Sequence, residues 1–120
     1  MDDRIQMITH RGKSIMLIDL RGCTLREMMV LLDLIQSEVA QHPRNSLLTL
    51  AEFTGAEIDH DVAMKIKEVL TLDRPYVKRS AWVGTENLPK AFYDNFKSFS
   101  RREFPTFKTR EEAMEWLVKD

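Results

Sequence analysis

The 120-residue chain has little of what holds very small or secreted domains together, with one cysteine, four glycines and four prolines. Because Cys23 has no second cysteine to pair with, an internal disulfide is excluded, as fits a reducing cytoplasm. The first residues lack the basic-then-apolar order of a signal peptide. The longest apolar runs, such as Ile15 to Ile18, are far too short to span a bilayer. We therefore expect a cytoplasmic protein.

Motifs for catalysis are also missing. Gly12 and Gly55 are isolated, so no glycine-rich loop can cradle a phosphate. The three histidines share no spacing, and the adjacent residues of Asp59–Asp61 would point in different directions on a helix instead of meeting at one metal ion. Cys23 precedes a helix start, which favours a thiolate, but a small buried cysteine is the simpler interpretation. We predict no catalytic residue, metal or cofactor, and therefore no enzyme.

What the chain does have is the composition of one ordinary globular domain covering residues 1–120. It is 43% hydrophobic and 31% charged, and a chain of this length buries roughly two thirds of its unfolded surface.

The net charge of −1 favours no nucleic-acid partner. Residues 71–110, however, carry nine Lys or Arg and four Asp or Glu. This basic third could bind an anionic surface, or it could be a solvated face that is balanced elsewhere.

Short apolar runs alternate with amphipathic stretches, which is typical of a small α/β domain. Two copies of one helix-start signal, Thr24-Leu25-Arg26-Glu27 and Thr109-Arg110-Glu111-Glu112, predict the beginning of the first and last helices. The first helix should reach about His42, and Asp59 and Asn87 should cap the second and third. The predicted strands are Ile5–Thr9, Ser14–Leu20, Leu47–Phe53, Tyr76–Val83 and Arg102–Phe107. The resulting order is ββαβαβαβα, with a hairpin followed by parallel strands.

The core can be predicted from the spacing of apolar residues. The run Ile15 to Ile18 does not alternate, which indicates a strand covered on both faces. Apolar positions three and four apart predict the inner face of the first helix: Leu25, Met28, Met29, Leu32, Ile35 and Val39. One buried residue is expected from each of four elements: Leu17, Leu32, Leu50 and Trp116.

Four stretches resemble the SpoIIAA-like proteins, which are grouped as STAS/SEC14-type domains: Gly12–Ile15 together with Ile18–Cys23, Asn45–Gly55, Arg74–Gly84 and Phe107–Leu117. The resemblance covers nearly the whole chain. It implies an α/β SpoIIAA-like (STAS) fold with a mixed, mostly parallel sheet of about five strands and four helices. It also implies a non-catalytic regulatory module that binds a protein partner.

The resemblance further implies a partner switch at the start of the second helix, where family members phosphorylate a serine in an Asp-Ser-Ser-Gly stretch. That stretch falls on Asp59-His60-Asp61-Val62, which keeps the aspartate but has neither serine. A phosphoserine switch at this position is therefore not expected. The candidate partner or ligand surface consists of Thr54, Gly55, Asp59, His60 and Asp61, of which the first two end a parallel strand where α/β proteins bind ligands.

A second candidate surface is the third helix, with an aromatic stripe near several basic residues. Its candidate residues are Leu88, Phe92, Tyr93, Phe96, Lys97 and Phe99. Such a stripe is either part of the core or a lid over a hydrophobic pocket or a membrane contact. Because SEC14-like proteins bind lipids, the resemblance implies a lipid or other hydrophobic ligand, with peripheral membrane association, as the alternative to a protein partner. The oligomeric state stays open.

Overall fold

The computed structural model describes residues 2–119. After a short 3₁₀ turn at Asp2–Arg4, the elements are β1 (Ile5–His10), β2 (Lys13–Asp19), α1 (Leu25–Val39), β3 (Leu47–Glu52), α2 (His60–Asp73), β4 (Val77–Val83), α3 (Lys90–Ser100), β5 (Thr106–Phe107) and α4 (Arg110–Leu117). The sheet order is β1-β2-β3-β4-β5. The first pair is antiparallel and the other pairs are parallel. The predicted order and the mixed sheet are confirmed.

Both faces of the sheet are covered, as the non-alternating second strand predicted. Met16 and Ile18 belong to the larger core cluster, which lies under α1, α2 and α3. Ile15 and Leu17 point to the opposite face and belong to a smaller cluster that α4 closes. Leu50, at the centre of β3, is fully buried. The central strands are therefore apolar in sequence because they have no solvent-exposed face.

Three of the four predicted caps are present. Thr24 forms a complete capping box with Glu27, Asp59 accepts a hydrogen bond from the Val62 amide, and Thr109 accepts one from the Glu112 amide. The prediction for Asn87 was wrong: α3 begins at Lys90 with no side-chain cap. The physical reason is that a residue before proline is disfavoured in the helical region, so Leu88 cannot belong to the first turn.

The last strand and the first helix are shorter than predicted. Phe104 is fully buried and stacks on Trp82 at 4.5 Å, so the chain before Pro105 covers the core instead of extending the sheet. Helix α1 ends at Val39, and its predicted end at about His42 was wrong because the amides of Gln41 and His42 bond carbonyls three residues back, as in turns.

The predicted inner face of α1 was partly wrong. Leu25 and Met29 are exposed, whereas Leu31, which was not predicted, is fully buried. Of the four residues expected in the core, Leu17, Leu32 and Leu50 are buried, but Trp116 is only half-buried.

Candidate functional site

An open groove lies on the outer surface of the three helices α1, α2 and α3. Its volume is about 670 Å³, and helix α2 forms most of its length. Four large apolar side chains in it are exposed: Met29 (37%), Met64 (50%), Leu72 (48%) and Phe99 (58%). We call this feature the three-helix groove; its lining residues are Met29, Asp61, Met64, Lys65, Lys67, Glu68, Thr71, Leu72 and Phe99.

The two lysines of the groove contact neighbouring side chains. Lys65 Nζ lies 2.5 Å from the Asp33 carboxylate and 3.7 Å from Glu68, and the hydrogen bond to Asp33 raises the pKa of Lys65. Lys67 Nζ lies 4.8 Å from the centre of the Phe99 ring, within cation–π range. Lys67 Nζ also lies 4.0 Å from Met64 Sδ, so this ammonium group contacts two of the four apolar side chains of the groove.

Helix α3 does not have a single role. Phe96 is fully buried and meets Trp82 edge-on at 6.2 Å. Phe92 is half-buried beside it, whereas Phe99 projects into the three-helix groove. Tyr93 donates a hydrogen bond of 2.6 Å from its hydroxyl to the Phe104 carbonyl, and burial raises its pKa. The aromatic stripe is therefore divided between the core and an exposed surface.

The residues predicted at the partner surface are distributed over two places. His60 and Asp61 are exposed in the first turn of α2, and Asp61 lies at one end of the three-helix groove. Thr54 and Gly55 follow β3, and Gly55 lines a separate pocket of about 300 Å³ together with Leu88. The predicted partner surface is therefore divided: Asp61 lines the three-helix groove, whereas Gly55 lines a different pocket.

Beneath the helices, residues of the larger core cluster line a partly open cavity of about 50 Å³. Most of its lining is apolar, but one end is polar. Arg102 donates to the Leu70 carbonyl at 3.1 Å and to the Ser80 hydroxyl, and Ser80 shares a 2.7 Å hydrogen bond with Thr49. Asp73, the last residue of α2, is 5% exposed and lines the same cavity. A cavity of this size holds a few waters, far below the roughly 300 Å³ at which small-molecule pockets begin.

Asp73 is the most perturbed carboxyl group of this region. Its Oδ1 atom has no hydrogen-bond partner among the described residues. Burial raises the pKa of Asp73 to about 7, although the nearby Arg102 charge acts in the opposite direction. Burial also lowers the pKa of Arg102 to about 10. Sequence reasoning missed this pair, yet a signal exists: Asp73 follows Val62, Ile66 and Val69 on the buried face of α2.

Other candidate chemistry is not assembled in the described structure. Cys23 is buried, and burial raises the pKa of its thiol, which disfavours a reactive thiolate. Within residues 2–119, no three His, Cys, Asp or Glu side chains are grouped as a metal site. None of the helices in that range is both long enough and apolar enough to cross a bilayer.

Comparison with known proteins defines the fold. Neither a protein-family model nor a curated protein matches the chain. Among solved structures, it is similar to an uncharacterised DUF3478-family protein with a SpoIIAA-like fold from Shewanella loihica PV-4, with a TM-score of 0.73 and 18% identity. The match covers 95% of this chain and 92% of the other. The hairpin, the parallel strands, the four helices and this likeness agree, and the chain therefore has a SpoIIAA-like fold.

Proposed function

We propose that the chain is a cytoplasmic, non-catalytic regulatory module of the STAS type, which binds an amphipathic helix of a protein partner in the three-helix groove. The observation that carries the proposal is the gathering of exposed apolar side chains in one groove. Met29, Met64, Leu72 and Phe99 are each 37–58% exposed. Single exposed apolar residues are ordinary, whereas a clustered patch with a polar rim is typical of an interaction site.

The dimensions of the groove favour a short helix as its occupant. Asp61 and Leu72 mark its extent along α2, and eleven helical steps span about 16 Å, or three turns. An amphipathic helix of that length would present apolar residues at three- and four-residue spacing to the groove. Two of the four apolar side chains are methionines, whose flexible thioethers adapt to different partner surfaces.

The charges of the groove favour a protein over an anionic membrane. The lining contains two acidic residues, Asp61 and Glu68, and two basic residues, Lys65 and Lys67. Since Lys65 is already paired with Asp33, the groove offers no excess of positive charge for anionic lipid. Asp61 also belongs to the helix start where the family resemblance places a partner-binding switch. Because residues 59–62 have no hydroxyl, we infer that partner binding is controlled without phosphoserine there.

The lipid alternative has less support. A SEC14-like ligand would need an apolar cavity, but the cavity of about 50 Å³ under the helices is too small for an acyl chain. Phe96 is committed to the core, so α3 cannot open as a lid without exposing Trp82. What remains of the lipid alternative is contact of the exposed Phe99 with a membrane surface, and the test below includes vesicles for this reason.

The test is photo-crosslinking in cells, followed by binding of the captured protein. A benzoylphenylalanine at Thr71, in the groove, should crosslink a protein that the same group at Ser37, exposed on α1, does not capture. With the purified partner, Leu72→Glu should weaken binding at least roughly 30-fold, or about 2 kcal/mol. Val30→Glu is the matched control, because Val30 is 53% exposed outside the groove, and it should leave the affinity unchanged.

Two outcomes would contradict the proposal. If crosslinkers at Thr71 and Ser37 capture the same proteins equally, the groove does not bind a specific partner. Binding of the purified chain to phosphatidylcholine or phosphatidylserine vesicles, abolished by Phe99→Ser and without any protein crosslink from Thr71, would support the lipid alternative instead.

A further inference from the structure

A further pocket lies where the first residues of β4 meet the segment after α3, and most of its lining side chains are basic. Its volume is about 330 Å³, within the range of small-molecule sites. Among residues 2–119, five basic residues and one acidic residue line it: Arg74, Lys78, Arg79, Arg101, Arg102 and Glu103. This basic pocket shares no lining residue with the three-helix groove, so it requires a separate explanation.

Neutral carbonyl groups orient the side chain of Arg79. Its Nη1 group donates to three carbonyl oxygens at the end of α4, those of Trp116 (3.3 Å), Leu117 (3.4 Å) and Lys119 (2.6 Å). No carboxylate among residues 2–119 forms an ion pair with it. Nη1 therefore fixes the guanidinium plane, and the remaining N–H groups stay available to an anion.

Arg102 supplies a second oriented guanidinium at the floor of the basic pocket. It donates to the Leu70 carbonyl and the Ser80 hydroxyl, and burial lowers its pKa to about 10, so it stays charged at neutral pH. A charge in such a poorly solvated place interacts strongly with any anion that approaches it. Asp73 only partly compensates it, because burial raises the pKa of that carboxyl to about 7.

The other basic residues add uncompensated charge. Arg74, Lys78 and Arg101 are exposed, and none of them has an acidic partner within 4 Å in the described part of the chain. Glu103, the one acidic residue that lines the pocket within residues 2–119, lies 3.6 Å from Lys97, a lysine outside the pocket. The basic pocket therefore carries a large local excess of positive charge in a chain whose net charge is −1.

We propose that the basic pocket is a binding site for a phosphate-bearing ligand. A phosphate group carries up to two negative charges and accepts paired hydrogen bonds from the planar fork of arginine, which matches the two oriented guanidinium groups of Arg79 and Arg102. Trp116 forms a wall of the pocket, with its ring centre 5.7 Å from Arg79 Cζ. This half-buried indole gives the non-phosphate part of the ligand an apolar surface to lie on.

The test uses pyrophosphate as the probe and the full chain labelled with ¹⁵N. Titration should give saturable NMR shifts at the amides of Lys78 and Arg101 and at the indole of Trp116. Lys78→Glu and Arg101→Glu, both at exposed positions, should each weaken binding at least tenfold without unfolding the chain. Arg26→Glu, the same charge change at an exposed position of α1 outside the pocket, should leave the affinity within twofold. Affinity should fall as NaCl is raised.

The proposal is overturned if pyrophosphate gives no saturable shifts at millimolar concentration, or if Arg26→Glu weakens binding as much as Arg101→Glu. A vesicle arm identifies the source of the phosphate. Binding to vesicles that contain phosphatidylinositol 4-phosphate, but not to phosphatidylcholine vesicles, and its displacement by pyrophosphate would support a lipid headgroup. Binding of pyrophosphate without binding of either vesicle would support a soluble phosphorylated molecule.

Discussion

Replacing Asp73 by asparagine removes a carboxyl group that folding places in an unfavourable environment. Asp73 is 5% exposed, its Oδ1 atom has no hydrogen-bond partner among the described residues, and it lines a cavity of about 50 Å³. Burial raises its pKa from an ordinary 3.8 to about 7 despite the nearby charge of Arg102. Asparagine has nearly the same shape but no proton to lose, so the variant isolates the cost of ionisation.

The sign and size of the effect follow from proton binding. Between pH 4 and pH 7 the folded chain holds a proton on Asp73 that the unfolded chain has released, so stability falls as pH rises through this range. The stability that this bound proton contributes is fully present below about pH 4 and lost above about pH 7. A rise from 3.8 to about 7 corresponds to roughly 4 kcal/mol. Asp73→Asn should therefore become progressively more stable relative to the wild type up to about pH 7, and the difference should level off above it.

The assay is urea denaturation of both proteins, followed by circular dichroism at pH 5, 6, 7 and 8. Both proteins contain the carboxylates whose pKa is lowered, such as Asp19 and Glu115. Their pH-dependent contributions therefore cancel when one free energy of unfolding is subtracted from the other. We expect that difference to grow by at least about 2 kcal/mol across the range. Asp61→Asn, at an exposed position, controls for the change in net charge. A constant difference between wild type and Asp73→Asn would refute this account of the buried carboxyl.

Four further substitutions test the core, a helix cap and two turns. Leu50→Ala, at a fully buried position, should lower the free energy of unfolding by about 2–5 kcal/mol in urea melts. Thr24→Ala should cost about 1 kcal/mol, because the capping box of α1 is lost. Gly84→Ala should cost more than Gly12→Ala, since a Cβ at 84 would lie 2.1 Å from Thr54 Oγ1, whereas a Cβ at 12 has open space. Thermal melts that rank the two glycine variants in the opposite order would contradict the close approach at the end of β3.

The fold could be predicted from the sequence wherever a local signal determined an element. Thr24, Asp59 and Thr109 are capping residues whose side chains bond neighbouring amides, so they acted as expected. The errors lie where long-range packing overrides local pattern. The residues from 102 to 105 read as a strand, but the burial of Phe104 against Trp82 diverts them from the sheet.

The candidate sites could be predicted less well, because they join residues distant in the chain. The three-helix groove brings Met29 of α1 to Phe99 of α3, and no local spacing relates the two. The sequence pattern predicted Met29 in the core, but Leu31 is buried instead. The apolar stripe of α1 is wide, so spacing alone does not distinguish Met29 from Leu31 at its buried edge. The excess of basic residues between 71 and 110 was visible in sequence, but the folded chain determines which of them share a pocket.

The most direct test of the central claim, that the three-helix groove binds a protein partner, is native mass spectrometry of the tagged chain purified from cells. We expect an additional species whose mass exceeds that of the chain by a whole protein. That species should persist with Val30→Glu, outside the groove, and disappear with Leu72→Glu, inside it. A wild-type chain that carries only a lipid-sized mass, or a protein complex that survives Leu72→Glu unchanged, would contradict the account.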